Sequence, residues 1–211
     1  MYNPSHFRET RPEVLQEAIV KHPLATLVTM GADGLCTSHI PLLYDATAGA
    51  HGVLRGHMAR TNPQWSTYRP EVFALAVFRG PQHYISPAWY PSQQEHGKVV
   101  PTWNYVIVEA AGPMRVIEDP AWLHENVRAL TAAHEQGRSE PWSPEQAPAG
   151  FIDGQLRSIV GVEIAIERFE GKWKMSQNRS AADREGVIRE LTKLASEEAS
   201  EVAELVRERL R

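Results

Sequence analysis

A succession of strand-like runs joined by tight turns restricts the fold more than any other feature of this chain. Residues 24–30 and 35–44 flank the turn Gly31-Ala32-Asp33-Gly34, and the pattern resumes at residues 53–57. Turns this short join antiparallel strands, because parallel neighbours need a crossover of a dozen or more residues. The sequence therefore predicts a small antiparallel β-barrel decorated with helices, an α+β chain, and argues against a βαβ order.

Two later runs extend the strand pattern. Residues 72–78 are almost wholly apolar, which is typical of a strand buried on both faces. Residues 103–118 read as a long strand interrupted at Gly112-Pro113, where we expect a bulge or bend.

Helical segments are marked by capping residues and by apolar periodicity. Asn62, followed by Pro63, predicts a short helix over 62–68, and Asp119-Pro120 predicts the start of a helix that continues to His134. Residues 183–211 carry apolar side chains three or four positions apart, which predicts one long amphipathic helix. We expect a single domain over 1–211, with 183–211 as its helical extension.

The charge balance bears on possible partners. The chain has 22 basic and 26 acidic side chains, a net charge of −4. A protein that holds DNA mainly by neutralising phosphates is usually basic. The sequence therefore disfavours a strong general affinity for nucleic acid, while a local contact with DNA stays open.

Cysteine content and hydropathy indicate the compartment. Cys36 is the single cysteine of the chain, so an internal disulfide framework is excluded. No apolar run approaches the roughly 20 residues that span a bilayer, and the first ten residues are polar and lack a secretory signal. We therefore expect a cytoplasmic protein with no membrane association.

Common catalytic and nucleotide-binding signatures are missing. The sequence has neither the Gly-rich dinucleotide or phosphate loops nor the metalloprotease and hydrolase motifs. Nine histidines are present, but none pair at a spacing typical of metal ligands. We predict no metal site.

Four short segments concentrate aromatic, amide and cationic side chains at predicted strand ends: residues 37–41, 56–65, 100–105 and 174–179. In the second segment, His57 and Arg60 precede the helix start at Asn62. A phosphate there would meet a guanidinium, the Thr61 hydroxyl and free amides of the first helical turn. The same residues are also compatible with a plain capped helix and an exposed arginine, and Trp103 and Tyr105 with ordinary core positions of a strand.

Taken together, these segments resemble the PaiB-type family of FMN-binding negative transcriptional regulators. The resemblance runs from Met1-Tyr2 to Arg189. It rests on five multi-residue matches in the right order: Ser38-His39-Ile40-Pro41; Gly56-His57-Met58-Ala59-Arg60 with Asn62-Pro63-Gln64-Trp65; Gly80-Pro81 with Tyr84-Ile85-Ser86-Pro87 and Trp89-Tyr90; Val100-Pro101-Thr102-Trp103-Asn104-Tyr105; and Lys174-Met175-Ser176-Gln177-Asn178-Arg179.

The resemblance implies an FMN-binding split barrel, similar to pyridoxamine-phosphate oxidase-like proteins, that works as a homodimer with FMN at the subunit interface. By that similarity Arg60 holds the phosphate, and the isoalloxazine ring lies along residues 38–41. The second subunit would contribute Trp103 and Asn104, and Lys174, Ser176, Gln177 and Arg179 would close the rim. The full set of implied FMN contacts is Ser38, His39, Ile40, Pro41, His57, Met58, Ala59, Arg60, Thr61, Asn62, Trp103, Asn104, Lys174, Ser176, Gln177 and Arg179.

The function implied by the family is repression of transcription by an FMN-binding dimer, with DNA as a family-level partner. The sequence itself contains no recognisable helix-turn-helix, basic helix or zinc finger. An alternative is a flavin-dependent oxidoreductase that takes electrons from NAD(P)H, with His39, His57 or His83 as proton donor. A haem-handling enzyme with a histidine as axial ligand is a variant of this alternative. A third hypothesis is a binding module that neither represses transcription nor catalyses a reaction.

Overall fold

Antiparallel strands and helices form the chain over residues 1–210, the part that the computed structural model describes. The contacts divide it into two units, each assembled from several stretches of sequence. Unit 1 comprises residues 1–15, residues 79–108 and the chain from residue 170 onward, and unit 2 comprises residues 16–78 and 109–169. The predicted class of antiparallel sheet with helices is confirmed. The expectation of one domain over 1–211 stays a prediction.

The strands are β1 (Arg8–Glu9), β2 (Leu24–Gly31), β3 (Gly34–Pro41), β4 (Leu43–Asp45), β5 (Val53–Ala59), β6 (Ala74–Ile85), β7 (Thr102–Gly112), β8 (Met114–Ile117), β9 (Ile159–Ala165) and β10 (Arg168–Lys174). The helices are α1 (Pro12–Lys21), α2 (Gln64–Thr67), α3 (Pro91–His96), α4 (Pro120–Glu135), α5 (Phe151–Leu156), α6 (Ala181–Lys193) and α7 (Glu197–Glu208).

In unit 2, β2 pairs with β3 on one side and with the first half of β6 on the other, so β3 is an edge strand. Gly31 pairs with Gly34 across the predicted tight turn, which confirms the hairpin. A second sheet of this unit has the order β4-β5-β9-β8 and is antiparallel throughout. In residues 1–210 hydrogen bonding closes neither of these sheets into a ring.

The β2–β3–β6 sheet of unit 2 buries one face and leaves the other partly open. Leu27 lies opposite Ser38 and Ala76 on the buried face. The other face, which we call the outer face, is formed by Thr26, Val28, Met30, Leu35, Thr37, His39, Leu75 and Val77, all half-buried or exposed. Within one chain the prediction of a strand buried on both faces at 72–78 is not met, because Leu75 and Val77 lie on the outer face and are only half-buried.

In unit 1, β1 pairs antiparallel with β10, and β10, β7 and the second half of β6 follow as successive neighbours. Trp173 and Met175 lie on the buried side of this region, together with Val106 of β7. Helix α6 packs closely on the turn before α3, because a Cβ added at Gly186 would lie 2.1 Å from the carbonyl oxygen of Trp89.

The predicted interruption at Gly112-Pro113 is present and separates β7 from β8. A Cβ at Gly112 would lie 1.8 Å from the carbonyl oxygen of Ala165, so only glycine permits this close backbone approach. Beyond the bend β8 joins β9 in the second sheet of unit 2.

The prediction of one helix over 183–211 is wrong, because two helices, α6 and α7, occupy this part of the described chain. Ala195 lies between them with φ of 51°, a left-handed conformation that interrupts the helix. Ser196 then caps α7, since its hydroxyl accepts a hydrogen bond from the Ala199 N–H at 3.2 Å. Position 211 lies outside the described residues.

Of the other predicted helices, one is confirmed and one is much shorter than predicted. Helix α4 begins after Asp119, whose carboxylate caps it, and this confirms the prediction from Asp119-Pro120. The helix expected over 62–68 is reduced to the single turn α2. Helix α5 was not predicted from the sequence. None of the helices described in residues 1–210 is long and apolar enough to cross a bilayer.

Candidate functional site

The candidate site residues fall into two groups, one in each unit. Those from Ser38 to Asn62 belong to unit 2, and those from Trp103 to Asn104 and from Lys174 to Arg179 belong to unit 1.

In unit 2, a buried amide connects β3 with α2. Gln64 is only 2% exposed and donates from Nε2 to the Thr29 hydroxyl at 3.0 Å and to the Cys36 carbonyl oxygen at 3.3 Å. Its Oε1 accepts from the Ser38 hydroxyl, which in turn accepts from Asn62 Nδ2 at 2.8 Å. The Ser38 and Asn62 side chains are thus engaged in positioning the helical turn.

The edge strand β3 presents its residues alternately. Ile40 points into the core and His39 points to the exposed outer face. The tight turn at Gly31 and Gly34 directs the backbone groups of the even-numbered residues of β3 toward β2. The N–H and C=O groups of Thr37 and His39 therefore point away from the sheet, and within residues 1–210 no strand lies beyond them. This edge can accept and donate hydrogen bonds to a flat polar ligand.

Strand β5 places His57 and Met58 on opposite faces. Met58 is buried, whereas His57 lies opposite Gly161 of β9 on the other face. The His57 Nδ1 atom is buried and has no hydrogen-bond partner within the described residues. Burial lowers the pKa of this imidazole, because the charged form loses its hydration, so His57 is neutral near pH 7. An orphaned ring nitrogen of this kind is available to a ligand group.

The predicted phosphate-binding corner differs from the expectation at Arg60. Its guanidinium donates from Nε to the Arg157 carbonyl oxygen at 3.0 Å and from Nη2 to the Ile159 carbonyl oxygen at 3.2 Å. Its Nη1 forms an ion pair with the carboxylate of Glu118.

The backbone amides expected to be free in this corner are also largely engaged. The Arg60 N–H donates to Ser158, the Asn62 N–H to Ala59, and the Gln64 N–H to the Asn62 side chain at 3.0 Å. Ala59 and Thr61 are exposed beside them. The expectation of free amides is therefore wrong for these three positions, because the Ser158 and Ala59 carbonyl oxygens and the Asn62 side chain already accept their hydrogens.

In unit 1, Asn104 and Ser176 form a buried pair. Asn104 is 0% exposed, and its Nδ2 lies 3.0 Å from the Ser176 hydroxyl. Ser176 adopts φ of 60°, a left-handed conformation that is costly for serine and is held by this contact. Gln177 closes the same turn, since it accepts from the Met175 N–H at 2.7 Å and donates to the Trp173 carbonyl oxygen at 2.6 Å. These three side chains form the turn that follows β10.

The cations of unit 1 lie around aromatic rings. Lys174 donates to the Trp103 carbonyl oxygen at 2.9 Å and to the Thr102 hydroxyl. Trp103 itself is 51% exposed, in edge contact with the Tyr84 ring at 6.2 Å. Arg179 lies over the Tyr90 ring, 4.8 Å from its centroid. Of the predicted unit 1 residues, Lys174, Trp103, Gln177 and Arg179 are at least partly exposed, whereas Asn104 and Ser176 are buried.

Two residues of these clusters were missed from the sequence. Gln64 accepts a hydrogen bond from the Ser38 hydroxyl, and Glu118 forms an ion pair with Arg60. Gln64 was within a quoted motif and could have been singled out by its place after Asn62-Pro63. Glu118 carried no local signal, because it pairs with Arg60 from 58 residues away. Within residues 1–210 no group of three His, Cys, Asp or Glu side chains could hold a metal ion.

Parts of unit 2 are suited to hold FMN. The open edge of β3 and the orphaned His57 Nδ1 suit the polar rim of a flavin. The Arg60 guanidinium can bind a phosphate only if the phosphate displaces the Glu118 carboxylate. That displacement costs little free energy. Arg60 and Glu118 side chains are 37% and 56% exposed, and an ion pair so exposed contributes about 0.2–1 kcal/mol.

Comparison with known proteins relates the chain to flavin-binding proteins. A family model described as "Putative FMN-binding domain" matches residues 1–168. Protease synthase and sporulation protein PAI 2 of Bacillus subtilis is 30% identical over 211 residues, 100% of this chain and 99% of the relative. An uncharacterized protein of Emericella nidulans is 33% identical over 244 residues, 99% of this chain and 97% of its own length.

A solved structure shares the fold at low sequence identity. The flavocytochrome Anf3 from Azotobacter vinelandii superposes with a TM-score of 0.59 at 12% identity, over 79% of this chain and 69% of that one. This match concerns the fold alone.

Proposed function

Because the chain belongs to the FMN-binding domain family, we propose that it is a homodimeric FMN-binding protein that acts as a negative regulator. The family match covers residues 1–168, and the PAI 2 relative aligns over the whole chain. By its name that relative takes part in protease synthesis and sporulation, and the resemblance to negative transcriptional regulators extends such a role to this chain. The observation that carries the proposal is the open edge of β3, which faces no other strand in residues 1–210.

In this proposal the isoalloxazine ring lies along β3. The outward N–H and C=O groups of Thr37 and His39 supply hydrogen bonds, and Pro41 ends the strand without an N–H to satisfy. FMN, when bound, supplies reversible two-electron chemistry. The chain orients the ring and, through the neutral His57, offers a nitrogen that can accept a proton.

The phosphate is assigned to Arg60, with Ala59, Thr61 and Asn62 beside it. A phosphate carries about two negative charges and several strong acceptors, so it competes well with one carboxylate for a guanidinium. Glu118 is the carboxylate that it displaces. The two carbonyl contacts from Arg157 and Ile159 then keep the guanidinium oriented.

The dimer is assigned to the outer face of unit 2. Its apolar members Val28, Met30, Leu75 and Val77 are half-buried in one chain, and Leu35 is 72% exposed. The sequence of this region is typical of a strand buried on both faces, and a twofold partner provides the second cover. Contacts of FMN with Trp103, Asn104, Lys174, Ser176, Gln177 and Arg179, and the origin of Trp103 and Asn104 from the second subunit, stay predictions within this proposal.

The proposed compartment is the cytoplasm, and the proposed macromolecular partner is DNA. The single thiol of Cys36 is suited to a reducing compartment. Because the chain is acidic, we expect DNA contact to be selective and confined to a local patch. A gel-shift assay with the dimer, with and without FMN, should show binding whose affinity falls with salt. No selective binding at low salt would overturn the regulatory part of the proposal.

Flavin titration tests the site. Arg60→Ala should weaken FMN binding by about 1.5–3 kcal/mol, the range for a hydrogen bond to a charged group, and should leave riboflavin binding unchanged because riboflavin has no phosphate. Arg69→Ala is the matched control, an exposed arginine of the same unit. Equal FMN affinity of wild type and Arg60→Ala would contradict the phosphate assignment.

A further inference from the structure

A cleft lies between the second half of α4 and the loop that follows this helix, entirely within unit 2. Its volume is about 500 Å³, within the range of about 300–1,000 Å³ that is typical of small-molecule sites. One wall is the α4 surface with Ala129 and Ala132, and the opposite wall is the loop with Pro141, Trp142 and Pro144. The lining residues fall between positions 125 and 145, outside the set of implied FMN contacts.

The loop wall is bonded to α4 at two points along the cleft. The Arg128 guanidinium contacts the Glu145 carboxylate at 2.7 Å, and the Trp142 N–H donates to the Glu135 carboxylate at 3.0 Å. Arg128 and Glu135 are seven residues apart on the helix, so the two contacts hold the loop over about two turns of α4. The walls are therefore ordered without a ligand, and binding avoids the entropy cost of ordering them.

Apolar side chains that solvent reaches line the middle of the cleft. Trp142 is 44% exposed, Ala132 is exposed and Ala129 is half-buried. A partly exposed indole beside small side chains leaves room for an aromatic or aliphatic group, whose burial there is favourable. The middle of the cleft is therefore suited to the apolar body of a ligand.

One end of the cleft carries more negative than positive charge. There the Arg128 guanidinium is shared by two carboxylates, Glu145 at 2.7 Å and Glu125 at 3.8 Å. The longer separation exceeds hydrogen-bond distance, so Glu125 is only weakly neutralised. Hydrogen bonds from its own backbone N–H and from the Ser143 side chain lower the pKa of the Glu145 carboxyl, which is therefore charged near pH 7. Two carboxylates thus share one guanidinium, and this end of the cleft attracts a cation.

The opposite end of the cleft is balanced in charge. Arg138 lies 3.2 Å from the Glu135 carboxylate, which also accepts from the Trp142 N–H. A ligand can therefore place a cation at Glu125 and an uncharged group against Trp142. Glu125 and Ala132 are seven residues apart, about 10 Å along the axis of α4, and this separation sets the length of such a ligand.

We propose that the cleft binds a small primary amine with an aromatic end, its ammonium group at Glu125 and its ring on Trp142 beside Ala132. The ammonium group donates charge-assisted hydrogen bonds to the carboxylate, and the ring stacks on the indole. An anionic ligand is disfavoured, because the carboxylates repel it. The proposal does not depend on FMN binding, since neither Arg60 nor the edge of β3 takes part in it.

Calorimetric titration of the full chain with 4-phenylbutylamine tests the aromatic part of the site. Trp142→Ala should weaken binding of this amine at least fivefold, because the stacking surface is lost. Phe73→Ala is the matched control, since it removes a ring of the same exposed fraction, 44%, from the same unit. Phe73→Ala should leave the affinity for the amine unchanged.

The charged part of the site is tested with the same amine. Glu125→Gln should weaken its binding at least threefold, whereas Glu17→Gln, which changes an exposed helical glutamate of the same unit, should have no effect. The uncharged analogue 4-phenylbutan-1-ol should bind to the wild type at least fivefold more weakly than the amine. The affinity for the amine should also fall as salt is added, because the carboxylates are solvent-exposed.

Three results would overturn the proposal. The first is equal affinity of wild type and Trp142→Ala for 4-phenylbutylamine, with circular dichroism showing that both are folded. The second is 4-phenylbutan-1-ol binding as tightly as the amine. The third is a flexible peptide containing lysine and phenylalanine that binds much more tightly than the amine and loses its affinity in Trp142→Ala, which would make the cleft a protein-docking surface.

Discussion

Arg60 in unit 2 and Lys174 in unit 1 were both expected to meet a cofactor, but the structure gives them opposite surroundings. Arg60 has a carboxylate partner, Glu118, and two backbone carbonyl partners. Lys174 has neutral partners only, and two further cations nearby. A cation in a sequence motif therefore indicates an anion-binding site only when its counter-ion is also known. A cation that a carboxylate already neutralises must release that carboxylate before it can bind an anionic ligand.

The largest effect is expected from the buried amides that position each group. Gln64→Leu should lower the free energy of unfolding by about 2–3 kcal/mol, because it removes the acceptor of the Ser38 hydroxyl and the donor to the Thr29 hydroxyl. Asn104→Leu should cost less, about 1–2 kcal/mol, since Ser176 is its one side-chain partner. Urea denaturation measures both, with the exposed Gln93→Leu as control. Equal losses of unfolding free energy in Gln64→Leu and Asn104→Leu would contradict this ranking of the two amides.

The next effect concerns a carboxylate of unit 1 that does have counter-ions. Glu9 is 4% exposed and bonded to Arg11 and Arg209, and the Arg11 hydrogen bond foremost lowers its pKa from 4.5 to about 2. A lowered folded-state pKa contributes stability above pH 4.5 that is lost as the pH falls toward 2. Glu9→Gln should therefore lose about 2 kcal/mol at pH 7, allowing for the partial exposure of Arg11.

The difference in unfolding free energy between wild type and Glu9→Gln should shrink steadily as the pH falls below 4.5. At those pH values the wild-type carboxylate becomes protonated and, like the glutamine, carries no charge. Urea denaturation at several pH values measures it. Glu95→Gln, an exposed glutamate of the same unit, is the control and should show little change. A difference between wild type and Glu9→Gln that is independent of pH would contradict the ion-pair explanation.

The comparison itself is tested by removing each cation. Arg60→Met should lose about 1 kcal/mol of unfolding free energy, because an ion pair and two hydrogen bonds disappear from a partly exposed site. Lys174→Met should be neutral or slightly stabilising, since it relieves repulsion. Thermal and urea unfolding of both variants decide the matter. A clear loss on Lys174→Met would indicate an undetected counter-ion.

The smallest effect is expected at Glu118, the ion-pair partner of Arg60. Glu118→Gln removes the carboxylate that competes with a phosphate, so FMN should bind up to about fivefold more tightly, the equivalent of a surface ion pair. Riboflavin affinity should not change. Weaker FMN binding in Glu118→Gln would show that the carboxylate orients Arg60 for the cofactor instead of competing with it.

Local signals were sufficient for part of the fold. The turn at Gly31-Ala32-Asp33-Gly34 predicted the β2–β3 hairpin, and Asp119-Pro120 predicted the start of α4, because turn and cap residues act on their immediate neighbours. The interruption at Gly112 was also predicted, although its cause, the approach to the Ala165 carbonyl, lies far along the chain. The break at Ala195 was missed, since the apolar spacing continues through it.

For the candidate site, the sequence indicated which residue types gather but not how they pair. Asn104 and Ser176 are 72 residues apart, and Arg60 and Glu118 are 58 apart. Such pairs depend on strand register and on the packing of distant segments, which no local pattern encodes. The same limit explains why Ser38 was expected to face a ligand while its hydroxyl is shared by Gln64 and Asn62.

The open edge of β3 also has a practical consequence for handling the protein. Unpaired backbone groups on an exposed edge accept a strand from another molecule as readily as they accept a small ligand, and such edges are prone to aggregation. Leu35 adds an apolar side chain to that edge. Concentrated samples kept without flavin should slowly form β-rich aggregates on storage, and an excess of the cofactor should delay them.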